Sequence, residues 1–228
     1  MGERAETFDT FLRERLDPLF SRPPHEFYPQ AIALIEAAMP EMPTAADRSE
    51  AYHWLGMMHQ VSAAEALRAD DVAGARERFA LMEEFLAKSI DEVPDNLSSR
   101  RLLARYYLTF GEDSAAALEL LDIPSEWLDA VSASNPALEH EWLGLRGVAH
   151  SLGDNPDAAI AALDAAYHER FVGVLDPSEV DVSPIKFLLG RGIRLEAQSA
   201  AALRDRLLEF GVGPETPVVN TLERIAAG

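Results

Sequence analysis

Six histidines, 39 acidic side chains and no cysteine set the chemistry open to this 228-residue chain. The histidines are His25, His53, His59, His140, His150 and His168. No two stand three or four residues apart, and the HExxH zinc signature is absent. His53 and His59 are six apart, which turns them to different faces of a helix. They read as surface or partly buried side chains, and His59 takes a position where a repeat would carry an aromatic ring, which favours packing. Paired carboxylates occur at Asp70-Asp71, Glu83-Glu84 and Glu112-Asp113. Acids in turns and at helix ends favour the positive end of the following helix, so these pairs read as structural and not as general acid and base. Gly190-Arg191-Gly192 lacks a third glycine at dinucleotide spacing and a preceding strand. No P-loop and no nucleophile elbow occur. Without cysteine there is no disulfide, no thiolate metal site and no cysteine nucleophile. The residues point to no catalytic site, no metal and no cofactor.

The elements that would position any site are helical. Phe8, Phe11, Leu12, Leu16, Leu19 and Phe20 form one stripe of a helix over about 6–20, with Thr7 or Thr10 as cap and Pro23-Pro24 as stop. A second helix over 27–39 presents Ala31, Leu34, Ile35 and Ala38. Thr44, with Asp47 three residues on, caps a helix carrying Tyr52, Leu55, Gly56, His59, Ala63, Ala66 and Leu67. After a turn at Asp70-Asp71, a partner helix carries Ala75, Phe79, Met82, Phe85, Leu86 and Ile90. Helices over 97–110, 114–121, 136–152 and 155–170 follow, the third capped by Asn135 with Pro136 as its first residue. Residues 172–184 read as a loop, and 185–195 are either a short helix or irregular. Helices over 197–210 and from Pro217 to about Ala226 close the chain, with Gly211 and Thr216 as caps. No strand is expected.

Composition narrows the function classes. The hydrophobic fraction of 48% is enough for a substantial core. A net charge of −19 repels phosphate backbones and anionic membranes, which argues against nucleic-acid and membrane partners and favours a basic protein or peptide. No apolar run approaches the roughly 18 residues of a membrane span, and no signal peptide is evident, so a cytoplasmic location is expected. Arginine outnumbers lysine 18 to 2, a coding bias of GC-rich bacterial genomes.

Three helix-turn-helix units align by eye. The first has Trp54-Leu55-Gly56, His59, Ala75 and Phe79. The second has Leu103-Ala104, Tyr107, Gly111, Ala116 and Leu120. The third has Trp142-Leu143-Gly144, Gly153-Asp154, Ala159, Leu163 and Ala166. This resembles the tetratricopeptide repeat, W-x2-L-G-x2-Y followed by A-x3-F and P, over residues 45–170. Small residues at Gly56 and Ala75 would let paired helices approach, and Phe79 would fill the groove to the next hairpin. Several features depart from that family: the first unit has extra residues between Gly56 and Ala75, and Pro94 falls late. The period is 41–43 residues in place of 34, and either Gly144 or Gly147 fits as the small residue of the third unit.

The expected fold is therefore all-α: a solenoid of stacked antiparallel hairpins with about nine to eleven helices. It would form one domain over 1–228, with a diverged hairpin at 1–43, the repeat core at 44–170 and a tail at 171–228. The resemblance implies a concave groove lined by the first helix of each hairpin. In that register Arg101 and Arg105 face the groove one turn apart, together with His53 and Met57 of the first unit and Glu141 and Leu145 of the third. Paired arginines there would clamp a carboxylate. Trp54 and Trp142 match the signature tryptophan and read as core, and Trp127 as connector packing. The function implied is a non-catalytic protein-protein interaction module: an adaptor, scaffold or assembly factor. The competing reading is an all-α ligand-sensing or inhibitory regulator, with 172–195 folded back onto the concave face. Open solenoid ends leave room for a homo-oligomer.

Overall fold

A computed structural model describes residues 7–111 and 113–228, apart from the side chains of Pro24, His25 and Val131. Glu6 and Glu112, used in the readings above, lie outside the described residues. Every regular element among the described residues is helical. The α-helices are α1 (Phe8–Phe11), α2 (Pro24–Ala38), α3 (Ala45–Arg68), α4 (Val72–Glu92), α5 (Leu97–Tyr106) and α6 (Ser114–Leu121). They continue as α7 (Ser125–Ser132), α8 (Pro136–Leu152), α9 (Pro156–Ala166), α10 (Ser183–Gly190), α11 (Ala197–Glu209) and α12 (Pro217–Ala226). None of them is long and apolar enough to cross a membrane.

The chain forms two compact units, residues 1–103 and 104–228. In the first, α1, α2 and α3 bury Phe8, Phe11, Leu16, Ile35, Leu55 and Met58 in one cluster. The expected first helix changes pitch. After α1 the backbone passes through a π-type turn at 12–16 and a 3-10 turn at 17–19. Pro18 has no N–H to continue an α-helical ladder there. Helix α2 starts three residues earlier than expected, with Pro24 in its first turn. The long helices α3 and α4 pack as a hairpin. Thr44 caps α3 as expected, its hydroxyl accepting the Asp47 N–H at 3.1 Å. The 3-residue link between them bends through Asp70, at φ 60.

In the second unit, α8 and α9 pair, α10 packs on both, and α11 pairs with α12. Their shared core holds Leu163, Phe171, Ile185, Leu188, Leu203, Leu207 and Phe210. Residues 185–190 are helical, and Ile185 and Leu188 are buried in that core. Gly211, at φ +82, ends α11 in the left-handed conformation that glycine adopts without strain.

Two sequence readings are corrected. Glu83-Glu84 is not at a helix end, because α4 runs on to Glu92, and Glu84 pairs with Lys88 at 2.6 Å. The buried alanine of the second unit's partner helix is Ala117, not Ala116. The caps fix this: Asp71, Asp113 and Asn155 each accept the N–H three residues on, from Gly74, Ala116 and Ala158. Four residues past each cap lie the buried Ala75, Ala117 and Ala159. The spacing is 42 residues both times.

Candidate functional site

The groove of the second unit is built on α8. Asn135 caps this helix and Pro136 opens it, so its first turn is set by local sequence. Trp142 anchors it: the indole is fully buried and donates to the Leu121 carbonyl at 3.2 Å. Two glycines then set the distances of closest approach. A Cβ on Gly147 would stand 3.3 Å from Leu163 and 3.4 Å from the Ala159 carbonyl, so Gly147 faces α9. A Cβ on Gly144 would stand 2.8 Å from Pro184, so Gly144 faces α10. In α3 the residue that faces the paired helix is Gly56, 2.7 Å from Leu86 by the same measure. Gly147 is its counterpart.

Between α8, α10 and the segment from Arg105 to Thr109 lies a cavity of about 530 Å³. Leu108, Leu145, Val148, Leu152, Pro184 and Phe187 give it an apolar lining. Arg105, Arg191, Asp181, Thr109 and Ser183 supply the polar groups. Arg105 pairs with Glu141, and Arg191 stands 3.6 Å from Asp154. The Asp181 carboxylate accepts the Ser183 N–H at 2.8 Å. Asp181 itself is held from both sides. Its N–H donates to His140 Nε2 at 3.1 Å, and its carbonyl accepts the Tyr167 hydroxyl. His140 is 1% exposed, and its Nδ1–H donates to the Ala166 carbonyl at 2.8 Å. Burial, together with the Asp181 charge, pushes the Tyr167 phenol well above its ordinary range, so it stays a donor. The groove thus sets an apolar lining beside two guanidinium groups, each paired with an acid, and the Asp181 carboxylate.

The six residues singled out by sequence separate between the units. Arg105, Glu141 and Leu145 come together at this groove, the first two as an ion pair and Leu145 as buried lining. Met57 lines a different pocket, in the first unit. Arg101 is half-buried in the first unit. His53 is 8% exposed and takes part in a polar network that sequence reasoning missed.

That network joins α3, α4 and the start of α5. Ser49 Oγ lies 2.8 Å from the Ser89 carbonyl, and Ser89 Oγ lies 2.8 Å from the Ser49 carbonyl. A carbonyl has no proton, so each hydroxyl donates to the other's backbone. Ser89 has then spent its proton, and Ser99, 2.8 Å away, must donate to it. His53 Nδ1, 2.9 Å from Ser99 Oγ, must therefore carry hydrogen and donate. Asn96 Nδ2 adds bonds to both Ser49 and Ser89. A serine nucleophile needs its proton accepted by histidine, and here the direction is reversed. The arrangement locks helices together. Asn96 three residues before Ser99, at the start of a helix, was the one local signal.

Among the described residues, no group of three His, Cys, Asp or Glu stands close enough to hold a metal ion. No protein-family model, curated protein or solved structure matches the chain.

Proposed function

We propose that the chain is a non-catalytic, tetratricopeptide-like interaction module that takes a short peptide segment of a partner protein in the α8–α10 groove. The observation that carries this is the groove's composition: an apolar lining with Arg105 and Arg191 at its polar edge. The preferred segment has an apolar side chain for the space beside Val148 and Phe187 and a carboxylate for the guanidinium groups. The repeat reading draws support from the 42-residue recurrence of cap and buried alanine. It also draws on the close approach at Gly56 and Gly147. The −19 net charge favours a partner that is basic outside that segment.

The test is to select peptides from a random display library on the intact protein and measure their affinities. Arg105→Ala with Arg191→Ala, and separately Phe187→Ala, should each weaken the selected peptides by about tenfold or more. Affinities unchanged in both variants, or no peptide selected, would refute the reading.

One observation favours the regulator alternative. The 172–195 segment folds onto α8 and seats Pro184 against Gly144. In that case a small ligand fills the groove, and it should raise the melting temperature where peptides do not.

A further inference from the structure

The first unit carries a second pocket, with four aromatic rings in its wall. Its volume is about 370 Å³, at the small end of the 300–1,000 Å³ usual for small-molecule sites. Phe20, Phe27, Tyr28 and Trp54 line it together with Met57, Met58, Val61 and Arg22. The rings touch: Phe20 to Phe27 at 5.1 Å, Phe20 to Trp54 at 6.2 Å, and Phe27 to Tyr28 at 5.2 Å. Phe20 remains 49% exposed, a large apolar surface left in water. The Trp54 N–H is already satisfied by Glu50 at 3.3 Å, so the indole offers only its apolar body.

A cluster of four aromatic rings has two natural occupants. One is a quaternary ammonium held by the ring faces. The other is an apolar molecule with an anionic head. Arg22 decides between them. Its guanidinium donates to the neutral Gln30 side chain at 2.6 Å, and no carboxylate among the described residues pairs with it. A cation at the rim repels an ammonium and leaves donors for a carboxylate. Glu50, bound to the Trp54 N–H, is an acid beside this wall, and the rest of the −19 charge opposes an anion at longer range. Screening over about 8 Å at physiological salt weakens that distant part, and Arg22 is the charged residue of the lining itself.

We infer that this pocket binds a free monocarboxylate with a hydrophobic body, an acyl chain or an aryl ring, with the carboxylate on Arg22 and the body against Phe20, Trp54 and Met57. The site is separate from the α8–α10 groove and stands whether or not that groove binds peptides.

Calorimetric titration of the intact protein with decanoate, decanol and choline tests the assignment. Decanoate should bind about tenfold or more tightly than decanol, and choline should not compete. Arg22→Gln should remove the preference of decanoate over decanol and leave decanol binding in place. Phe20→Ala, a change at an exposed ring, should weaken both. Arg105→Ala, which alters the other groove, should change neither. Equal binding of decanoate and decanol, displacement by choline, no saturable binding of decanoate, or decanoate affinity that follows Arg105 in place of Arg22 would each overturn the proposal.

Discussion

His53 shows how one buried side chain ties helix packing to pH. Burial, with the Arg101 charge nearby, lowers its imidazole from 6.5 to about 4. The unfolded chain takes up this proton near pH 6.5, and the folded chain refuses it until about pH 4. In that window the unfolded state binds more protons. Folding stability is therefore complete above pH 6.5 and is lost as pH falls towards 4, by up to about 3 kcal/mol from this group. His59 and His150 are lowered in the same direction, chiefly by burial, with Arg78 and Arg146 adding to it. They steepen the same slope. His59 is a second stress point, because both of its ring nitrogens are buried without a partner while the ring stacks on Phe85 at 5.4 Å. His53→Asn keeps a donor near Ser99 and removes the titration. Urea unfolding at pH 7.5 and pH 5 should show the wild type losing more stability across that interval than His53→Asn loses. An equal loss in both proteins would show that His53 does not titrate with folding.

Helices meet here through glycines, and that is where the sequence was both readable and ambiguous. The caps of α3 and α8 and the stop of α11 lie within a few residues of the helix they serve, so Thr44, Asn135 and Gly211 were legible directly. Thr216 was legible only as a position: it precedes α12, but its hydroxyl makes no cap bond and is buried without a partner. The sequence leaves residues 185–195 open because α10 has only eight residues, about two turns, too few to set a helical pattern apart from an irregular one. Its helicity depends on docking Ile185 and Leu188 into the second unit's core. His53 fell on a groove face by repeat register, yet its partner Ser99 lies 46 residues away, a distance no local pattern reports. The choice between Gly144 and Gly147 was a matter of packing, since both are small and each admits a different helix. A pair of substitutions checks this account of close approach. Gly56→Ala places a methyl 2.7 Å from the buried Leu86 side chain. The overpacking, about 1–3 kcal/mol, should outweigh the helix propensity of about 1 kcal/mol that alanine brings. Gly190→Ala meets nothing within 4 Å at the last residue of α10. It should be neutral or stabilise by about 0.4–1 kcal/mol. Thermal melts should show Gly56→Ala below the wild type and Gly190→Ala at or above it, and a Gly56→Ala protein as stable as wild type would mean that α3 and α4 have room to separate.

Charge acts on the whole chain at once. Its 39 acidic and 20 basic side chains cannot all pair, and the surplus of carboxylates repels itself in any compact state. Salt bridges oppose this. Arg48 grips Glu92 with bonds of 2.9 and 2.7 Å, and Arg13–Asp9 and Lys88–Glu84 add pairs one helical turn apart. Exposed pairs of this kind contribute about 0–1 kcal/mol each, and salt weakens them too. The question is which effect screening removes faster. Pairs in contact at under 3 Å lie well inside the Debye length of about 10 Å at 0.1 M salt, so they are screened little. Repulsion among unpaired carboxylates spread over the surface acts at longer range and is screened almost fully. Added salt should therefore stabilise the protein, with the melting temperature at pH 7.5 rising by a few degrees between 10 and 150 mM sodium chloride. Capture of a basic partner should move the other way, its association rate falling over the same range because the steering field is screened. A melting temperature that falls with salt would mean that the ion pairs, and not the excess carboxylates, dominate the electrostatics of the fold.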